Sequence, residues 1–158
     1  APYNQEAAKF ALESPLSAPV IAKMVATFEE RRNVIWQQLN DITGVACQKP
    51  DGAFYLFPNI SGICQQLGLI EYHAQLPEAE HEATSPSGLF QLFALYGHQV
   101  AVLDRKSFGQ IEADGLHFLR LSTASELSVL EDGVRRIRNA GEDHAGLRGF
   151  LETRPDLK

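Results

Sequence analysis

The feature that most constrains the fold of this sequence is a long helical pattern near its start. Apolar residues share one helical face at Ile21, Met24, Val25, Phe28, Ile35 and Leu39, and the polar side carries Glu29, Glu30, Arg31 and Gln38. Ser17 suits an N-cap, Pro19 falls in the first turn, and Gly44 suits a position just past the end. The pattern predicts one long helix over roughly Ala18–Asp41.

Shorter patterns surround this helix. Gln5–Glu13 predicts a short helix that Ser14-Pro15 ends. After the long helix, the extended segments Val45–Cys47 and Ala53–Phe57 flank a Pro-Asp-Gly turn at residues 50–52. Proline fixes φ and glycine adopts positive φ, so this arrangement predicts a β-hairpin.

The middle of the chain is less regular. Ile63–Leu69 predicts one or two helical turns, and the proline- and glutamate-containing stretch Glu71–Pro86 predicts an exposed loop. Gly88–Tyr96 has helical periodicity, and Gln99–Leu103 has the pattern of a short strand.

The last third of the chain begins with a predicted strand, Leu116–Ser122. Alternation along this strand places Phe118 and Arg120 on the same side. Ser125 or Thr123 is the expected cap of a helix whose inward residues are Leu127, Leu130, Val134 and Ile137. The polar tail contains an apolar patch that favours a final helix, at Leu147, Phe150 and Leu151.

This order of elements defines the expected fold class. It is α/β, of the two-layer α+β kind, with a small three- or four-stranded sheet packed with helices and preceded by a long helix. The 158 residues suit one domain, since domains commonly hold about 100–150 residues. We expect a single small domain over residues 1–158, with a core at about 17–140 and a peripheral tail at 141–158.

Composition argues against several functional classes. A net charge of −6 disfavours nucleic-acid binding, which needs clustered Lys and Arg. No apolar run approaches the ~20 residues that span a bilayer, so no membrane partner is expected. Cys47 and Cys64 form no CxxC pair, which favours two reduced thiols of a cytosolic protein. The five histidines lack zinc-binding spacing, so no metal is expected.

The first residues, Ala1-Pro2-Tyr3-Asn4-Gln5, lack the basic and apolar regions of a signal peptide. The absence of an initiator Met favours a piece of a longer chain, although tag removal or N-terminal processing leaves the same trace. We expect a cytoplasmic location.

Three sequence blocks and one short motif carry a resemblance to a known family. The blocks are Phe28–Asn33, Lys49–Pro58 and Phe118–Ala124, and Ser107-Phe108-Gly109 lies between the last two. In this order they resemble the h-x-x-R-R-D, P-x-G-A-F-Y-h-F and h-h-R-h-S-F-A regions of fold-type-I aminotransferases, which depend on pyridoxal phosphate. The chain resembles the C-terminal small domain of the aspartate aminotransferase type, over about Ser17–Asn139.

The resemblance implies a function and one site residue. Arg120 occupies the place of the arginine that binds the substrate α-carboxylate, a role that suits a planar guanidinium fork. The parent enzyme would transfer an amino group from an amino acid to a 2-oxo acid, usually as a homodimer. From the residues alone, a structural arginine in a surface salt bridge remains an open interpretation.

The resemblance also implies what this chain lacks. The family binds pyridoxal phosphate through a lysine in an S-x-K context, and no lysine here has that setting; the lysines are Lys9, Lys23, Lys49, Lys106 and Lys158. We therefore expect the cofactor to belong to a missing N-terminal large domain, and this chain to be inactive alone.

Two departures from the family leave alternatives open. The family usually has Pro-Gly shortly before the Ser-Phe-Gly motif, in a loop that lines its active site, whereas this chain has Val102–Lys106. The resemblance implies that the altered charge bears on substrate identity, but Asp104, Arg105 and Lys106 more simply predict a solvated turn. The acidic stretch Glu71–Glu82 predicts a solvated loop or, less simply, a lid. The alternative function is a stand-alone regulatory or protein-binding α/β domain of the same fold.

Overall fold

The computed structural model describes residues 1–109 and 115–153 of the chain. Helices and short strands alternate along it. In chain order the elements are α1 (Pro2–Glu13), α2 (Ser17–Asn40), β1 (Tyr55–Leu56), α3 (Ser61–Gln66), α4 (Leu69–Ala74), α5 (Glu78–Ala83), α6 (Pro86–His98), β2 (Leu103–Asp104), a 3-10 helix (Arg105–Phe108), β3 (Leu119–Ser122), α7 (Leu127–Glu142) and α8 (His144–Thr153).

The strands form one small antiparallel sheet with β3 in the middle, in the order β1-β3-β2. Tyr55 lies opposite Ser122, and Leu103 lies opposite Arg120. Helices pack on this sheet, so the predicted α+β class, with three strands, is confirmed. The long helix is confirmed as well, at Ser17–Asn40.

Helix α6 lies at the centre of the core. It packs against α3, α4, α7, α8 and β2. Most of its residues are apolar, and four of its side chains are almost completely buried: Leu89, Phe90, Phe93 and Ala94. Its start is capped by Ser85, whose side-chain oxygen accepts from the Gly88 N–H at 2.9 Å.

The predicted β-hairpin is wrong, although the chain does reverse there. Val45–Cys47 does not pair with the second segment as a strand; only Ala46 bridges to Asn59. The Cys47 N–H donates to the Asn40 side chain, and the Cys47 carbonyl accepts from Asn40 and from the Trp36 indole. Because side chains of α2 occupy the Cys47 backbone groups, β1 pairs with β3 instead.

Three further local predictions need correction. The strand expected at Gln99–Leu103 begins only at Leu103, because Gln99 adopts φ of 56° and ends α6. The stretch Glu71–Pro86 is not a continuous loop, since it contains the end of α4 and all of α5. The N-cap of α7 is Glu126, without a side-chain capping bond, and not Ser125 or Thr123.

The tail takes part in the core. Leu147 and Phe150 of α8 are buried within the main apolar cluster, and the Phe150 ring lies 5.8 Å from that of Phe93. The core therefore extends past residue 140, into a segment expected to be peripheral.

The N-terminal end of the chain, in contrast, contributes little to the core. Helix α1 buries no residue, and α2 buries none before Arg32. Large apolar side chains are exposed on these helices, at Tyr3, Phe10, Leu12, Val20, Ile21, Met24 and Val25. Only the second half of the long helix is thus anchored, through Ile35 and Leu39.

Both cysteines are free and buried. Burial raises the pKa of the Cys64 thiol to about 12 and also raises the pKa of Cys47. Within the described ranges, no helix is long and apolar enough to cross a membrane.

Two glycines allow the end of α2 to approach α3 closely. Gly44 has φ of +85°, and a Cβ added there would lie 2.7 Å from the Ile63 nitrogen. A Cβ added at Gly62 would lie 2.5 Å from the Gly44 Cα. These are backbone atoms that no side-chain rotation can move, so the contact requires glycine on both sides.

We predict that Gly62→Ala destabilises the fold by about 1–3 kcal/mol, because the new methyl group forces two backbone segments apart. Gly149→Ala is the matched control. Nothing lies within 4 Å of a Cβ at Gly149, and this helical substitution should stabilise by about 0.5–1 kcal/mol. Urea unfolding of both variants measures the two changes; equal stabilities would contradict the close approach.

Candidate carboxylate-binding site

Arg120 lies in the middle strand of the sheet. Its neighbour Leu119 is completely buried in the core, whereas the Arg120 side chain is half-buried on the other face. The guanidinium carbon is 4.5 Å from the centre of the Tyr55 ring and 4.3 Å from the centre of the Phe108 ring. Both distances are within the range of a cation–π interaction.

The guanidinium of Arg120 has no hydrogen bond or ion pair with any residue of the described ranges 1–109 and 115–153. Other arginines of the chain do have carboxylate partners: Arg31 pairs with Glu126, Arg32 with Glu29, and Arg135 and Arg136 with Asp132. The surface salt bridge considered from the sequence is therefore absent among the described residues.

A row of aromatic rings leads from α2 to Arg120. The Phe28 ring lies 5.8 Å from the Phe54 ring, and Phe54 lies 4.5 Å from Tyr55. Thr123 fixes this row to the sheet, since its N–H and its hydroxyl both donate to the Phe54 carbonyl, at 2.8 and 3.1 Å. The row connects the three sequence blocks, because Phe28, Tyr55 and Arg120 belong to different ones.

The residues before the Ser-Phe-Gly motif do not form the predicted solvated turn. Asp104 is only 6% exposed, and its carboxylate accepts from the hydroxyls of Ser85 at 2.8 Å and Ser87 at 2.6 Å. Lys106 donates to the carbonyls of Glu82 and Thr84, which fixes the 3-10 helix against the end of α5. Buried Asp104 thus holds the segment that carries Phe108.

Three histidines, His73, His81 and His117, lie near this segment. The His73 and His81 rings lie 4.2 Å apart, and the buried His73 Nε2 has no hydrogen-bond partner in the described part of the chain. Burial lowers the pKa of His73, and the nearby His81 lowers it further. Burial also lowers the pKa of His117, although Asp104 opposes this effect.

No protein-family model matches the chain, but individual relatives do. It is 35% identical to a probable aspartate/prephenate aminotransferase of Aquifex aeolicus, over 89% of this chain and 30% of that protein. It is 32% identical to the aspartate aminotransferase of Bacillus subtilis, over 79% of this chain and 27% of that protein. The chain is related to one part of the aspartate aminotransferases.

The fold agrees with this relationship. An aspartate aminotransferase from Rhizobium meliloti matches with a TM-score of 0.62 and 27% identity, over 87% of this chain and 30% of the solved one. The chain spans less than a third of the length of these aspartate aminotransferases. The family resemblance inferred from the sequence blocks is therefore confirmed.

The residues described in this chain do not fit a site for the pyridoxal phosphate of that family. The Lys106 amine donates to two backbone carbonyls, and the Lys49 amine lies 5.7 Å from the centre of the Trp36 ring. Lys9 and Lys23 are exposed on α1 and on the first half of α2, which contribute nothing to the core. All four lysines are exposed, and none has the S-x-K setting of the family's cofactor-binding lysine. The remaining lysine, Lys158, lies outside the described residues.

Sequence reasoning missed the two aromatic partners of Arg120. The signal was present, since Tyr55 is part of the block around Gly52 and Phe108 is the centre of the Ser-Phe-Gly motif. What the sequence could not supply was the pairing of β3 with both β1 and β2, which brings these motifs together.

We predict that acidification weakens the fold through two half-buried histidines, His73 and His117. The unfolded chain binds protons at the ordinary histidine pKa of about 6.5, whereas folded His73 and His117 bind them at lower pH. The histidine contribution to the free energy of unfolding should therefore be constant above that pH and should fall as the pH drops from 6.5 toward the folded pKa values.

Urea unfolding between pH 7.5 and 5.5 measures this dependence. His73→Gln should flatten the fall, since it removes one of the two groups. His144→Gln, at an exposed position at the start of α8, is the control and should leave the slope unchanged. Equal slopes in the two variants would contradict the assignment to His73.

Proposed function

We propose that this chain supplies the substrate-binding arginine of a pyridoxal-phosphate-dependent aminotransferase. The parent enzyme would transfer an amino group from an amino acid to a 2-oxo acid. The observation that carries the proposal is the state of Arg120. Its guanidinium is half-buried beside two aromatic rings and has no anionic partner among the described residues.

A half-buried guanidinium without a partner favours an anion as its ligand. Burying a charge is costly unless it is paired, and a carboxylate would pair with it through two parallel N–H···O bonds. In this role Arg120 binds the α-carboxylate and orients the amino acid, so that the bond to be broken is presented in one geometry. The relationship to the aspartate aminotransferases supports the same ligand.

Other parts of the proposed enzyme lie outside this chain. The cofactor supplies the electron sink of the reaction when it is bound, and its lysine would belong to an N-terminal large domain. This chain would be inactive without that domain. We also propose that the parent enzyme is a cytoplasmic homodimer that acts on free amino-acid and 2-oxo-acid substrates.

The proposal predicts a large effect of Arg120→Ala in the parent enzyme. Removing one partner of a buried charge pair costs about 2–5 kcal/mol, so kcat/KM for the amino acid should fall about 30- to 4000-fold. Steady-state kinetics with the reconstituted enzyme measures this loss.

Arg135→Ala is the matched control. It removes the same charge from an exposed residue of α7 whose ion pair with Asp132 is local, and kcat/KM should be unchanged. Unchanged kinetics in Arg120→Ala would reject the carboxylate-binding role. A reading frame without a lysine-bearing domain upstream of Ala1 would favour a regulatory or protein-binding domain instead.

A further inference from the structure

We propose that Tyr55 and Phe108 are positioning residues that hold the guanidinium plane of Arg120 ready for a carboxylate. We refer to these two rings as the aromatic clamp. The inference rests on the carboxylate-binding role proposed for Arg120. It adds that the arginine is ordered before the substrate arrives, by side chains from two other elements.

The geometry of the aromatic clamp is the first support. The Arg120 guanidinium lies over both rings, at 4.5 Å from Tyr55 and 4.3 Å from Phe108. A guanidinium stacks on rings through its faces and donates hydrogen bonds in its own plane. In the proposed arrangement the two rings contact the faces of the guanidinium and leave its in-plane N–H groups for a ligand.

Each ring of the aromatic clamp is itself fixed. Tyr55 lies opposite Ser122 in the sheet and packs on Phe54, whose carbonyl accepts two bonds from Thr123. These contacts join the Tyr55 ring to the same strand that carries Arg120. The ring position is thus set by backbone pairing rather than by the arginine.

Phe108 is fixed from the other side. It is the last residue of the 3-10 helix, and the Arg105 N–H at the start of that helix donates to the Phe118 carbonyl at 3.2 Å. Lys106 ties the same helix to the carbonyls of Glu82 and Thr84. The segment before the Ser-Phe-Gly motif departs from the family pattern, but its contacts still hold the Phe108 ring of that motif beside Arg120.

The consequence for binding is energetic. A free arginine side chain loses rotamer freedom when it binds a ligand, and this loss reduces the affinity. Arg120 would have lost this freedom on folding, because the two rings already restrict its guanidinium. Removing one ring should therefore release the arginine and weaken carboxylate binding without removing the charge.

Nuclear magnetic resonance of this chain tests the ordering of Arg120 directly. The Nε–Hε signal of Arg120 is assigned by its loss in Arg120→Lys, and its order parameter is measured in Tyr55→Leu and Phe108→Leu. We expect the order parameter to fall from a rigid value to below about 0.6 in each variant. Tyr55→Phe and Phe108→Tyr keep a ring and should retain the rigid value.

Phe57→Leu is the matched control. Phe57 is an exposed ring that stacks on Phe118 at 5.3 Å, and it is not one of the two rings that the guanidinium lies over. Its replacement should leave the Arg120 order parameter unchanged. An order parameter that stays rigid in both leucine variants of the aromatic clamp would overturn the inference.

Kinetics of the parent enzyme separates this inference from the proposed function. In Tyr55→Leu and Phe108→Leu, kcat/KM for the amino acid should fall about 5- to 30-fold, mainly through a higher KM. A large loss in Arg120→Ala with wild-type kinetics in both leucine variants would reject the aromatic clamp alone. Wild-type kinetics in Arg120→Ala would reject the carboxylate-binding role itself.

Discussion

The antiparallel pairing of β1 with β3 is the contact on which the rest of the site depends. It sets Tyr55 opposite Ser122 and so brings the aromatic row from α2 beside Arg120. The pairing is short, but the two bonds from Thr123 to the Phe54 carbonyl extend it. Residues far apart in the chain meet here because strands that are distant in sequence are neighbours in the sheet.

The two longest patterns, those of α2 and α6, predicted helices correctly because their signals are local, whereas α5 was missed. The periodicity between Ile21 and Leu39 suffices to identify α2, and the apolar run of α6 suffices for the central helix. The hairpin prediction was wrong because the hydrogen bonds that replace the hairpin pairing come from side chains of α2. The amide of Asn40 and the indole of Trp36 occupy the Cys47 backbone groups, and no turn motif reveals such side-chain bonds.

The site was predictable only in part. Family resemblance singled out Arg120, whose role remains a proposal, but no pattern in the sequence indicated which side chains surround it. Asp104 illustrates the same limit. The charged residues Asp104, Arg105 and Lys106 predict a solvated turn. The hydroxyls of Ser85 and Ser87 nevertheless donate to the Asp104 carboxylate and allow it to be buried. Such compensation depends on the start of α6 lying beside β2, a tertiary fact that composition does not encode.

The buried thiol of Cys64 gives this molecule a built-in reporter of core opening. The thiolate is the form that attacks an alkylating reagent, and a pKa of about 12 keeps that form very scarce at neutral pH while the core is closed. Cys64 lies on α3, beside the contact between Gly44 and Gly62. Its rate of alkylation therefore reports how often the core opens around α3, and no cysteine has to be engineered for the measurement.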